Sequence, residues 1–196
     1  MEKLILIDGN SLINRAFYGV RPMTTKDGRP TNAIYGFINM ILKPLESLTP
    51  DAAAIAFDLR APTFRHRRCD FYKANRKGMP EELRVQMPIL KEVLDAMGIM
   101  RIEMEGYEAD DLLGTASRMA NERGMDALVL TGDRDSLQLV SAETVVHICT
   151  NKGDIRYTPE KIMEDYGVTP AELIEIKAIQ GDTSDNIPGV AGIGPK

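Results

Sequence analysis

Cysteine is scarce in this chain: Cys69 and Cys149 are the only two among 196 residues. Two thiols cannot build a disulfide framework, so nothing points to an oxidising compartment. Histidine is equally rare, and His66 and His147 stand too far apart in sequence to suggest a zinc centre or a catalytic role. Long apolar runs are missing as well. The longest, Ala52 to Phe57, falls far short of the roughly 20 residues that a membrane span requires. The N-terminal run Leu4-Ile5-Leu6-Ile7 breaks at Asp8, which excludes a signal-peptide core. There is no internal repeat and no low-complexity tract. The expectation is a cytoplasmic, monomeric protein with no membrane partner.

What is present is enough to fold. Hydrophobic residues make up 43% of the chain and charged residues 27%, which suits one domain, or one and part of a second. Twenty-four Lys and Arg against 29 Asp and Glu leave a net charge of −5, at first sight a poor match for nucleic acid. The acids are unevenly placed, however. Nine of them (Asp8, Asp58, Glu108, Asp110, Asp111, Asp133, Asp135, Asp182 and Asp185) stand at strand ends or helix starts. Without those nine, 24 positive charges face 20 negative ones. Between Arg60 and Arg84, eight basic residues accompany three acids. An acidic pocket set in a basic surface accounts for both facts.

Short apolar runs alternate with helical patterns. Strands are expected at Lys3–Ile7, Ala52–Phe57, Ile99–Met104 and Ala127–Leu130, and a pair at Val145–Thr150 and Ile155–Tyr157 is joined by the turn 151–154. Helical spacing covers Asn32–Leu48, Pro80–Met97 and Glu108–Arg123, with a kink expected at Pro44. Thr158-Pro159-Glu160 and Thr169-Pro170-Ala171-Glu172 are capped helix starts. This order predicts an α/β fold with a mostly parallel central sheet and helices on both faces. Residues 60 to 79 break the pattern, being basic, aromatic and without apolar period. They are expected to form a functional loop or mobile arch.

In open parallel sheets, sites form beyond the carboxyl ends of the strands. Asp8, Asp58 and Asp133 each follow a different expected strand, so all three should face one edge. A lone Asp there is ordinarily a helix cap; three in one chain are harder to dismiss. Glu108, Asp110 and Asp111 open a helix, and Asp133/Asp135 and Asp182/Asp185 repeat the theme at spacings of two and three. So many carboxylates, with no clustered His or Cys, suit Mg²⁺ or Mn²⁺. Nine acids exceed the needs of one ion and suit a pair roughly 3.5–4 Å apart, as in phosphoryl chemistry. Near the C-terminus, Gly189, Gly192 and Gly194 allow backbone amides to approach a phosphate, and Lys196 adds charge.

Several segments resemble the 5′-nuclease (flap endonuclease) domain at the N-terminus of bacterial DNA polymerase I. They are Leu-Ile-Asp-Gly-Asn-Ser at 6–11, Ala-Phe-Asp at 56–58, Phe-Arg at 64–65 and Tyr-Lys-Ala-Asn-Arg at 72–76. Gly-Tyr-Glu-Ala-Asp-Asp at 106–111, Thr-Gly-Asp-Arg-Asp at 131–135 and Gly-Asp-Thr-Ser-Asp-Asn-Ile-Pro-Gly-Val at 181–190 complete the set. The resemblance runs in order along the whole chain. It implies a PIN-like nuclease core over residues 1–180, with the basic arch at 60–84. Residues 181–196 would begin a helix-hairpin-helix DNA-binding element that the family continues beyond Lys196. It also implies a structure-specific 5′→3′ exonuclease or flap endonuclease, cutting branched or 5′-flapped duplex DNA in replication and repair, with a linked polymerase domain in the parent protein. Asp8, Asp58, Glu108, Asp110 and Asp111 would hold or support the first metal, and Asp133, Asp135, Asp182 and Asp185 the second. K⁺ at the hairpin is a further implication. Lys73 and Arg76 would act with Asp110 at the scissile phosphate, and Arg65, Tyr72, Gly189, Gly192, Gly194 and Lys196 would touch DNA. Two rival readings are a catalytically impaired DNA-binding fragment and a PIN-like ribonuclease.

Overall fold

The structure, a computed structural model, describes residues 2–76, 78–150 and 153–193. The turn 151–154, Gly194 and Lys196 therefore lie wholly or partly outside the described residues. Six strands form one sheet: β1 (Lys3–Asp8), β2 (Ala52–Ala56), β3 (Met100–Ile102), β4 (Asp126–Thr131), β5 (Thr144–Ile148) and β6 (Ile155–Tyr157). Their order is β3-β2-β1-β4-β5-β6. The first five run parallel and β6 returns antiparallel to β5. The chain lays down β2 and β3 on one side of β1, then crosses to β4 on the other. The β1/β4 boundary is thus the point where winding reverses, the place where a crevice opens in such sheets.

Helices cover both faces, as expected from alternating buried positions along the strands. Ile5, Ile7, Ile55 and Phe57 pack with residues of α1 (Gly9–Gly19), α2 (Asn32–Leu48) and α5 (Gln86–Ala96), Leu12, Phe37, Ile41 and Leu90 among them. Leu6, Ala54, Ala56, Val129 and Val146 face the other way, against Leu113 of α6 (Ala109–Asn121), Ile162 of α7 (Pro159–Tyr166) and Leu173 of α8 (Pro170–Gln180). Among the described residues no helix is long and apolar enough to cross a membrane.

Three elements differ from the sequence expectation. The single helix expected at Pro80–Met97 is two, α4 (Glu81–Arg84) and α5, parted at Val85. Pro88 favours the break, having no N–H to donate to Arg84 and a ring that crowds that carbonyl, although α2 runs unbroken through Pro44. The strand expected at Ile99–Met104 is only three residues long. It is an edge strand with one neighbour, so nothing on its outer side extends the pairing. The segment 60–79 is not simply a loop. It contains the short helix α3 (Phe64–Arg68) and a series of turns clasped to residues 182–187. Lys73 N–H donates to the Asp185 carbonyl (2.8 Å), Asn75 Nδ2 to the Thr183 carbonyl (3.1 Å) and Asn186 Nδ2 to the Phe71 carbonyl (2.8 Å).

Candidate active site

A cleft of about 850 Å³ opens over the carboxyl ends of β1, β2 and β4. All nine acids singled out in the sequence line it. They divide into two groups by what else they touch.

Asp8, Asp58, Asp110 and Asp133 form the uncompensated group. Asp8 ends β1 and is 4% exposed. One oxygen caps α1 by accepting the Ser11 N–H (2.9 Å), and the other accepts the Thr131 hydroxyl across the switch point (2.7 Å). Asp58 accepts the Ala109 N–H at the start of α6 (2.7 Å), and its own N–H is held by Asn10 Oδ1 (2.9 Å). Asp133 accepts the Asp135 N–H and caps the 3₁₀ turn Arg134–Leu139. Each therefore serves as a cap and faces the cleft as well. Among the described residues none of the four is ion-paired to a Lys, Arg or His. Burial pushes the Asp8 carboxyl up to about 6, against its two hydrogen bonds and with the help of Asp133 and Asp58. Asp110 opens onto the cleft rather than into the core. Desolvation by the crowded cleft floor, then repulsion from Asp8, Asp133 and Asp58, raise it to about 8.

Glu108, Asp111, Asp135 and Asp185 are ion-paired, while Asp182, also without an ion pair among the described residues, is held by hydrogen bonds within its own loop. Arg65 grips Asp111 through two parallel hydrogen bonds, 2.7 and 2.8 Å long. Burial works to raise the Asp111 carboxyl, but the Arg65 fork outweighs it and holds Asp111 below the usual carboxylate range. Glu108 accepts from Lys73 Nζ (2.9 Å) and from the Tyr72 hydroxyl (2.9 Å). Asp185 is paired with Arg76 and lies 3.7 Å from Lys73 Nζ. Asp135 is bridged by Lys177 at 2.5 Å. Asp182 accepts the Ser184 N–H and hydroxyl (2.7 and 2.6 Å) inside a loop closed by its own antiparallel bridge to Ile187.

The residues expected on DNA are placed unequally. Lys73 and Arg76 line the cleft, and Lys73 holds a left-handed φ of 54° that turns its N–H toward Asp185. Tyr72 is 7% exposed, with its hydroxyl spent on Glu108 and its ring edge-on to His66, so it lies beneath the arch surface. Arg65 is engaged with Asp111. Gly189 packs against the end of α8: a Cβ there would sit 2.1 Å from the Gln180 carbonyl oxygen. Gly192 lies clear of other atoms at φ 83°. Sequence reasoning missed Asn10, Thr131 and Lys177. Asn10 lies inside the quoted 6–11 segment and Thr131 opens the 131–135 one, whereas nothing local marks Lys177.

The donor set is all carboxylate oxygen. Among the described residues no three His, Cys, Asp or Glu side chains close around a single point. That arrangement still fits Mg²⁺, which keeps several waters and takes one or two carboxylates together with substrate phosphates.

A switch-point cleft floored by carboxylates, in a mostly parallel sheet covered on both faces, is the architecture expected of a PIN-like 5′-nuclease, and the comparisons with known proteins agree with it. The chain belongs to the family described as the 5′-3′ exonuclease, N-terminal resolvase-like domain, which matches residues 3–167. It is 48% identical over 198 residues to DNA polymerase I of Caldicellulosiruptor bescii, covering 99% of this chain and 23% of that protein. It is 46% identical to the Bacillus subtilis DNA polymerase I, covering 100% of this chain and 22% of the relative. The chain thus spans under a quarter of the curated relatives it matches. Among solved structures, the T5 D15 protein co-crystallised with metal ions superposes with a TM-score of 0.79 at 23% identity, over 98% of this chain and 72% of that one. The catalytic core of Rad2 in complex with DNA superposes at 0.60 and 22% identity, over 99% and 58%. These two likenesses concern the fold.

Proposed function

We propose that this chain is a divalent-metal-dependent 5′→3′ nuclease domain that cuts 5′-flapped or branched duplex DNA, as the flap-removing part of a DNA polymerase I. The observation that carries the reading is the quartet Asp8, Asp58, Asp110 and Asp133, gathered on one cleft floor without an ion pair among the described residues. Four carboxyls crowded at the switch point are costly to ionise together, as the raised Asp8 and Asp110 show, unless something else neutralises them. Divalent cations do so, and the T5 relative was crystallised with metal ions.

Asp8 and Asp110 would hold one Mg²⁺ or Mn²⁺ ion, with Asp58 beside it; Asp133, expected with the second ion, would stand between the two. Asp135, Asp182 and Asp185 would serve a second. When bound, such ions supply an activated water and stabilise charge on the phosphate and the leaving oxygen. The chain's own part is positional. Asn10 and Thr131 hold Asp58 and Asp8 in place, and the Lys73 and Arg76 side chains, paired with Glu108 and Asp185, line the same cleft, from where they would meet an anionic backbone. Residues 181–196 would form the start of a helix-hairpin-helix, with K⁺ a candidate ion at that element. A polymerase domain following in the parent protein, as in the relatives, belongs to the same proposal, as do a cytoplasmic location and a monomeric state. Cleavage of a 5′-flapped duplex with Mg²⁺ but not with EDTA tests it, with single-stranded RNA as the contrast substrate. Cleavage of the RNA alone would favour a PIN-like ribonuclease, and tight binding without cleavage an inactive DNA-binding module.

A further inference from the structure

The two halves of the acidic cleft differ in one respect. Asp8, Asp58, Asp110 and Asp133 make no ion pair among the described residues, Lys73 acting on Asp110 and Lys177 on Asp133 only from beyond contact distance, whereas Asp135 already holds Lys177 at 2.5 Å. Lys177 lies near the end of α8, and both it and Asp135 keep 35% of their side-chain surface. Asp182 and Asp133 line the same cleft as Lys177, and the ammonium attracts both, Asp182 the more strongly. The ammonium is a single point charge on a four-carbon stem, able to withdraw by side-chain rotation while its helix stays packed.

We infer that Lys177 is a built-in counter-ion for the Asp135–Asp182 side of the cleft, which a divalent ion entering there must displace. This rests on the metal-dependent reading above and adds an order to it. The uncompensated side takes the first ion, because nothing has to leave. The Asp135 side takes the second ion more weakly, because an existing ion pair has to break first. Without metal, the same pair relieves part of the repulsion in the cleft.

The test uses the whole chain, titrated with MgCl₂ alone. Calorimetry follows the binding steps, and ¹⁵N resonances of the lysine ammonium groups follow Lys177, its signal assigned by its loss in Lys177→Met. The expected result is two steps, with the Lys177 resonance moving from an ion-paired to a solvent-like position during the second. Lys177→Met should tighten the second step about fivefold, the factor an ion pair of this exposure is worth, and change the first by less than about twofold. If Lys177→Met does not fold, Lys177→Arg supplies the assignment and the wild-type ammonium titration decides. A Lys177 resonance unmoved at saturating Mg²⁺ would overturn the inference and leave the metal reading standing. No Mg²⁺ binding at all would overturn both.

Discussion

Arg65 holds Asp111 through a two-point fork across the mouth of the cleft, 46 residues apart in sequence. Asp111 is thereby turned from a free ligand into an anchor for α3, the first turn of the arch. Asp111→Asn should therefore weaken Mg²⁺ binding much less than Asp110→Asn does. It should instead loosen the arch and cost about 1–3 kcal/mol of stability, the usual range for a charge-assisted pair that is part-buried. Arg65→Lys should recover little of that, since an ammonium cannot make the fork. Chemical denaturation and Mg²⁺ calorimetry on the three variants check this; equal losses of metal affinity in the two Asp variants would refute it.

Asp110 gives a prediction about the metal-free protein. Its carboxyl is raised from 3.8 to about 8 in the fold, so the unfolded chain loses that proton first. The sign follows: the folded state is favoured by this group at low pH, and the advantage drains away as pH rises from about 4 to about 8. Asp110→Asn has no such proton to lose and escapes the repulsion of Asp8, Asp58 and Asp133. In EDTA its melting temperature should exceed wild type by about 2–4 °C at pH 8, what ~1 kcal/mol yields in a domain of this size, with the gap shrinking toward pH 4. Added Mg²⁺ should reverse the ranking. A variant less stable than wild type in EDTA at pH 8 would contradict the repulsion.

Much of this site was legible because its signals are local. Asp8, Asp58 and Asp133 each close an apolar run, and parallel strands bring such positions to one edge. The partners were not legible. Tyr72 lies 36 residues from Glu108, and Lys177 reaches Asp135 only once α8 packs against the 3₁₀ turn. No spacing rule covers such pairs, because the fold sets them. The helix break at Val85 had a local cue, since Pro88 has no N–H for the Arg84 carbonyl; the cue is not decisive, because α2 runs unbroken through Pro44, and the apolar period of Leu83, Met87, Leu90 and Leu94 hid it.

Lys73 separates positioning from affinity. Its ammonium bridges Glu108 and Asp185 while its strained backbone is tied to Asp185. Lys73→Ala should lower single-turnover cleavage at least tenfold, an order of magnitude within the range for one electrostatic contact, and weaken equilibrium flap binding by under about threefold. Equal losses in rate and binding would reduce Lys73 to an ordinary phosphate contact, whose effect would follow salt concentration.

The loop carrying Asp182 and Asp185 depends on two glycines. Gly181 has φ 68°, and a Cβ there would fall 2.4 Å from the Gly189 nitrogen. Gly181→Ala combines a left-handed strain with a backbone clash, so it should cost about 1–3 kcal/mol. Limited proteolysis should then cut between 181 and 190 faster than in wild type, while the β1–β4 core keeps its hydrogen-exchange protection. Unchanged proteolysis would show that the loop does not need this close approach.

The most direct measurement is cleavage of a 5′-flapped duplex by the wild-type chain and by Asp110→Ala, each in saturating Mg²⁺ and in EDTA. The uncompensated quartet as a metal-dependent cutting site predicts cleavage only for wild type with Mg²⁺, at least a hundredfold above Asp110→Ala, on the order of what losing one key electrostatic element costs. Near-wild-type cleavage by Asp110→Ala, or wild-type cleavage that persists in EDTA, would contradict it.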